Sequence, residues 1–173
     1  MKKYKGVVFD LDGTLLDTLK DLAASMNYAL EKNNLPTHTI EEIRTYIGNG
    51  IYRLTQLACK PEENKTIIDK VYDDFKKHYA IYCNQMTKPF DGIPELIDDL
   101  RKNGIKTAIV SNKADFALQE LKKIYFPKID FAIGEKEGIP RKPSPEMVLK
   151  ALESIGCTKE DAVYVGDSSV DIQ

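Results

Sequence analysis

A chain of 173 residues, 42% hydrophobic and 30% charged, is long enough to bury a core and fits one ordinary domain, or one domain carrying an insertion. Its 25 basic and 27 acidic residues leave a formal charge of -2, so no global field draws it to nucleic acid or to an anionic membrane. Cys59, Cys83 and Cys157 are odd in number and lack C-x-x-C spacing, which argues against a disulfide framework and a zinc site and for reduced thiols.

The start, MKKYKGVVFDLDG, has the basic residues of a signal peptide, but Asp10 and Asp12 interrupt its apolar run too early for one. Nothing later approaches the length needed to span a bilayer, so a cytoplasmic protein is expected. The apolar run at 7–9 reads as a buried strand that ends in the D-x-D-G-T turn of Asp10, Asp12, Gly13 and Thr14. Roughly 95 residues then separate Asp10 from Ile105, where an ordinary crossover needs about a dozen. Something is inserted there, and its content is helical. Leu19, Leu22, Ala23, Met26 and Leu30 form one stripe, and Ile40, Ile43 and Ile47 a second, with a capping box from Thr39 and Glu42. Ile51, Leu54 and Leu57 form a third, and Ile68, Val71, Tyr72, Phe75 and Tyr79 a fourth. We place this insertion at 17–84, with TKPFDGIP as the return linker.

Beyond the linker, strand and helix alternate. Ile93, Leu96, Ile97 and Leu100 mark a helix, 107–110 a strand, Phe116, Leu118 and Leu121 a helix, and 131–133 a strand. The next helix, with Val148, Leu149, Leu152 and Ile155 as its apolar stripe, has Ser144 to cap it, Pro145 at its first position, Glu146 in the positive first turn and Gly156 to end it. Thr158 and Asp161 resemble a short cap leading into a strand at 162–165. The alternation points to an α/β fold. No repeats or low-complexity segments occur.

The strand ends of an open parallel sheet converge on the crevice where ligands bind. Asp10 and Asp12 follow one predicted strand, and Asp167 and Asp171 follow another, so four carboxylates are expected in one small volume. Unless their pKa values rise, such charges need a divalent cation, and an all-oxygen pocket suits hard Mg2+ better than zinc. The chemistry to expect is phosphoryl transfer. Asp10 is the candidate nucleophile, because a carboxylate can take a phosphoryl group and split one hard displacement into two. Asp12, two residues on, is placed to act as general acid and then base. The turn at Gly13 and Thr14 offers backbone N–H groups to phosphate oxygens, although D-x-D-G also suits an acidic turn that caps a helix. Ser111 and Asn112 end a strand where a hydroxyl and N–H groups could bind phosphate; the plainer alternative is a cap for the next helix. Lys142, beside Pro143, would neutralise carboxylates and phosphate, though most lysines are solvated and Arg141 is its neighbour. Gly166 bends the chain to present Asp167 to an ion, with Asp171 ligating through water or orienting the other ligands; acids in a first helical turn would look the same.

DLDGTLLDT, VSNK, RKPSPE and GDSSVD, in this order, resemble the motif set of the haloacid dehalogenase superfamily of phosphohydrolases. SNK together with IGEKEGIPRKPSPEMVLKAL is most similar to its phosphoglycolate phosphatase branch. The resemblance implies a Rossmann-like parallel sheet with helices on both faces, built from 1–16 and 85–173, and an all-helical cap at 17–84. It implies that Asp10 is phosphorylated and Asp12 is acid and base, while Ser111 and Lys142 hold the phosphoryl group. Mg2+ would be bound by the Asp10 carboxylate, the Asp12 main-chain carbonyl and Asp167, with Asp171 in support. Gly48, Asn49, Gly50 and Arg53 match a region that faces substrate in relatives, although Gly48 equally suits a simple helix end and Arg53 a solvated charge. Relatives continue past the last motif with a further strand, so the strand at 162–165 is expected to lack a neighbour. The expected activity is Mg2+-dependent hydrolysis of a small phosphorylated metabolite, 2-phosphoglycolate first. The open alternatives are a pyrophosphatase, a nucleotidase or a sugar-phosphate mutase, and, from other classes, a receiver-like or non-catalytic phosphate-binding module.

Overall fold

The computed structural model describes residues 4–60 and 64–172. In chain order the elements are β1 Gly6–Phe9, β2 Leu16–Asp17, α1 Leu19–Lys32, α2 Ile40–Tyr46, α3 Gly50–Ala58 and α4 Lys65–Tyr82. They continue with β3 Lys88–Pro89, α5 Ile93–Lys102, β4 Lys106–Ala114, α6 Asp115–Tyr125, β5 Phe131–Glu135, α7 Glu146–Ile155 and β6 Ala162–Val165. Two compact units result: Met1–Asp17 with Pro89–Gln173, and Thr18–Lys88.

The first unit is α/β, as its alternating pattern requires. Four parallel strands lie in the order β5-β4-β1-β6. The order is informative, because from β1 the chain goes outward to β4 and β5 and then returns to the other side of β1. That reversal makes a switch point at the carboxyl end of β1, the place where open parallel sheets bind ligands. Register puts Phe9 opposite both Ile109 and Val165, so the residues just beyond all three strands share one edge. Strands alternate their faces. Val8, Ala108, Val110 and Ile133 pack on one side against Met147, Ala151, Leu152 and Ile155 of α7. α5 and α6 also contact β4.

Several apolar residues expected in helical stripes lie outside the core. Leu96, Phe116 and Leu149 are exposed, while Ile97, Ala117, Leu118, Leu121, Met147 and Ala151 fill the buried faces. A helix places its buried face by docking, and small or flexible residues such as Ala117 and Met147 let it approach the sheet closely. The N-terminus of α7 also differs from expectation. Pro145 is already helical, its carbonyl accepts from the Leu149 N–H, and the Ser144 hydroxyl meets the Glu146 carboxylate instead of a backbone N–H. Its C-terminus is as expected, with Gly156 at φ 69 and the paired bonds Gly156 N to Glu153 O and Cys157 N to Leu152 O. β6 stands at the edge of the described sheet, half-buried over its first three residues and exposed at Val165.

The described residues of the second unit form four helices, α1 to α4. Leu22, Met26 and Leu30 of α1, Ile43 of α2, Ile51 and Leu54 of α3, and Val71, Phe75 and Tyr79 of α4 are buried. Leu57 lies only half-buried, and Thr55 and Ala58 complete the α3 face instead. The Thr39–Glu42 capping box is formed in both directions. Buried Asp21 accepts the N–H groups of Met86 and Thr87 at 3.0 and 2.8 Å, which satisfies backbone donors at the end of the unit. No helix among the described residues is long and apolar enough to cross a membrane.

Candidate active site

Four segments meet at the carboxyl edge of the sheet: the turn after β1, the distal end of β4, the loop between β5 and α7 that carries Lys142, and the turn after β6. Asp10 is fastened first, since its N–H donates to the Val165 carbonyl at 2.9 Å, in continuation of the β1–β6 ladder. The turn that follows is closed on itself, with Gly13 N to Leu16 O at 2.9 Å and Thr14 N to Leu11 O at 3.3 Å. These two N–H groups, expected to face a phosphate, serve the turn. Gly13 adopts φ 86, and a β-carbon there would stand 2.3 Å from Asp167 Oδ2, so only glycine lets the two loops approach. Thr14 joins the same loops by donating from Oγ1 to Asp167 Oδ1 at 2.8 Å. Gly166 has the same role toward Asp171, whose carboxyl carbon would lie 2.4 Å from an added β-carbon.

The carboxylates of Asp10, Asp167 and Asp171 offer oxygens that all lie within 4.8 Å of one another. An all-oxygen donor set of this span fits a hard cation such as Mg2+. Asp12 stands apart from this trio. Its carboxylate is paired through both oxygens, at 2.9 and 3.2 Å, with the buried ammonium of Lys113.

Lys142 is the hub of the cluster. Its Nζ lies 2.9 Å from Asp10 Oδ1 and 2.7 Å from Asp171 Oδ1, and its side chain is 3% exposed. The Tyr164 hydroxyl is 3.0 Å from that nitrogen and donates to Asp171 Oδ1 at 2.9 Å. Asn112 holds the lysine's backbone at two points, donating to the Lys142 carbonyl at 2.9 Å and accepting from its N–H at 2.8 Å. This contact fixes one loop against another and engages both ends of the Asn112 amide. Ser111 is buried beside it, and its Oγ accepts from Lys113 N at 3.3 Å. Asp171 Oδ2 is held by the Ser168 N–H and hydroxyl, so the carboxylate orients its neighbours.

Burial pushes the Asp10 carboxyl up to about 6, against the pull of the Lys142 ammonium and with added repulsion from Asp12 and Asp171. Burial also acts upward on Asp171, but the hydrogen bonds from Lys142 and Ser168 outweigh it and hold this carboxyl below the ordinary value. Tyr164 is raised by burial and by the charges of Asp10 and Asp171, so it remains a neutral donor. Of Asp10 and Asp171, it is thus Asp10 whose charge burial disfavours, and a cation beside it would offset that.

Two residues of the cluster escape sequence reasoning. Lys113 stands next to Ser111 and Asn112 in VSNK, but nothing local reveals that it reaches Asp12, 101 positions away. Tyr164 reads as a strand residue, and only its alternation with Val163 and Val165 hints at a hydroxyl turned to one face. In the helical unit, Gly48 (φ 105) lies between α2 and α3, Asn49 precedes α3 without a side-chain cap bond, and Gly50 (φ 77) begins it. Arg53 is exposed and lies 3.4 Å from Gln56.

A family model of the haloacid dehalogenase-like hydrolases matches residues 7–173. This chain belongs to that family. A phosphoglycolate phosphatase of Aquifex aeolicus is 34% identical over 172 residues, covering 96% of this chain and 78% of the relative. A protein of Caldanaerobacter subterraneus provisionally named a pyrophosphatase is likewise 34% identical over 172 residues, covering 98% of this chain and 76% of its own. Among solved structures, a Lactobacillus delbrueckii protein provisionally named a phosphoglycolate phosphatase superposes with a TM-score of 0.92 at 36% identity, over 98% of this chain and 81% of that one. The chain is accordingly a phosphatase of the phosphoglycolate phosphatase-like group, a phosphoric monoester hydrolase.

Proposed function

We propose that this hydrolase removes phosphate from small phosphomonoesters, 2-phosphoglycolate first among them, with Mg2+ as cofactor and with Asp10 as the group that is transiently phosphorylated. The observation that carries the reading is the convergence of Asp10, Asp167 and Asp171 around one oxygen-lined point with Lys142 bridging two of them. Asp10, Asp167 and the main-chain carbonyl of Asp12 would hold the cation, which when bound neutralises charge on the phosphoryl oxygens. Asp10 receives the phosphoryl group in line, and phosphorus bonds to its carboxylate as the ester oxygen departs. Asp12 gives the departing oxygen its proton and then takes one from the water that releases phosphate. Lys142 neutralises the equatorial oxygens and keeps Asp10 aligned, and the Ser111 hydroxyl contributes a donor. Asp171 and Tyr164 hold Lys142 in place, and Asn112 fixes its backbone.

A second reading, hydrolysis of pyrophosphate, draws on the similarity to the Caldanaerobacter protein. Phosphate release from 2-phosphoglycolate, pyrophosphate and a nucleotide panel, with Mg2+ and with EDTA, separates the two. The proposal expects the highest kcat/KM for 2-phosphoglycolate, dependence on Mg2+, and loss of more than about 10³-fold in kcat for Asp10→Asn. Turnover at the parental rate by Asp10→Asn refutes the assigned nucleophile, and preference for pyrophosphate replaces the substrate.

A further inference from the structure

We infer that Lys113 is a positioning residue that fixes the Asp12 carboxylate for proton transfer. The inference rests on the reading of Asp12 given above, and goes beyond it by assigning a group outside that reading.

Backbone geometry puts Lys113 where it is. The β4–β5 ladder runs in register to Val110 and Ile133, shifts, and resumes at Ala114 and Glu135, so residues 111–113 lie in an irregular stretch. Such irregularities re-aim side chains. Here Ser111, Asn112 and Lys113 continue the buried run that begins at Thr107, so the re-aimed side chains stay inside the protein. The stretch is clamped from both directions. On one side the Lys113 N–H donates to Ser111 Oγ. On the other, Gly134 passes so close that a β-carbon would lie 2.5 Å from the Lys113 carbonyl oxygen, and Gly134 N donates to Asp115 Oδ1 at 2.8 Å.

The lysine side chain is 1% exposed, whereas the Asp12 side chain is 22% exposed. The ammonium is therefore the more deeply buried partner and the carboxylate the more accessible one. Two contacts, at 2.9 and 3.2 Å, set both oxygens of Asp12 and so fix the plane of its carboxylate. A buried ion pair is a poor way to gain stability, because desolvation offsets most of the attraction. A fixed charge that orients an acid at the mouth of the site has a use that stability does not explain. With Lys113 replaced by a neutral side chain, Asp12 would turn toward solvent and miss the reacting oxygen, and misplacements of about 1 Å can cost on the order of 10²-fold in rate.

The test is a double-mutant cycle in the full chain with Mg2+, using 2-phosphoglycolate, or p-nitrophenyl phosphate should it be the better substrate. Lys113→Met keeps the length of the side chain. It should lower kcat by about 10- to 100-fold with KM changed less than about 2-fold. Asp12→Asn should lower kcat by about 10²-fold or more. In the Asp12→Asn background, Lys113→Met should cost less than about a further 3-fold, because it acts only through the group already lost. Equal losses in both backgrounds, or a change confined to KM, overturn the inference. Where Lys113→Met does not fold, Lys113→Gln is read in the same cycle, and failure of both to fold assigns Lys113 to structure alone and also overturns it. An Asp12→Asn variant at the parental rate refutes the role of Asp12 itself. Slow Asp12→Asn beside unaffected Lys113 variants refutes only the positioning role of Lys113.

Discussion

Replacing Asp10 by Asn should make the metal-free protein more stable at neutral pH. The carboxyl is held at about 6 by burial despite the Lys142 ammonium 2.9 Å away. A rise from the ordinary 3.8 to about 6 corresponds to about 3 kcal/mol of disfavoured ionisation. The folded state retains the Asp10 proton over a range in which the unfolded chain has lost it. Stability from this group is therefore complete below the unfolded value near 3.8 and is lost as pH rises through about 6. Asn cannot ionise, so the variant lacks that decline. Lys142 is not stranded by the change, since Asp171 and Tyr164 remain beside it at 2.7 and 3.0 Å. Urea unfolding of both proteins in EDTA, from about pH 4 to about pH 8, isolates the effect, because every other titrating group is shared. The Asp10→Asn variant and its parent should be of similar stability at the acid end and differ by up to about 3 kcal/mol at the other, the variant being the more stable. Added Mg2+ should narrow the gap by favouring the carboxylate. A difference that does not vary with pH, or a variant that is the weaker at about pH 8, would refute the claim that burial dominates at Asp10.

Lys142→Met should act in the opposite direction. Removing the ammonium leaves Asp10 and Asp171 facing each other without their shared counter-charge, a loss of about 3–5 kcal/mol for a buried pair broken on one side. Thermal melts should show this in EDTA and a smaller deficit in Mg2+, and a cost below about 1 kcal/mol would contradict the hub assignment. Gly13→Ala meets both a left-handed φ of 86 and a 2.3 Å approach to Asp167 Oδ2. It should cost about 1–2 kcal/mol in stability and, by displacing Asp167, weaken Mg2+ binding by about 10-fold or more in calorimetric titration. Unchanged Mg2+ affinity would remove Asp167 from the cation site.

Much of the fold was legible in the sequence because its causes are local. Alternating apolar runs and 3.6-residue stripes announced four strands and seven helices' worth of pattern, and the Thr39–Glu42 box and Gly156 terminus depend on residues a few positions apart. The acidic residues at 10, 12, 167 and 171 stood out because they directly follow strands. Their grouping did not. Which three carboxylates meet, and which one pairs with Lys113 instead, depends on the register of β1 against β4 and β6 and on the irregular stretch at 111–113, and no local signal encodes those. The same holds for Asn112, which reads as a phosphate ligand but clasps the backbone of a residue 30 positions on. Leu96, Phe116 and Leu149 carry the apolar character of core residues, and only the way each helix docks on the sheet left them outside. Sequence alone determined the kinds of element and the chemistry available at their ends, since both follow from neighbouring residues. Tertiary structure decided which charge opposes which, because electrostatics acts through distances that only the assembled sheet sets.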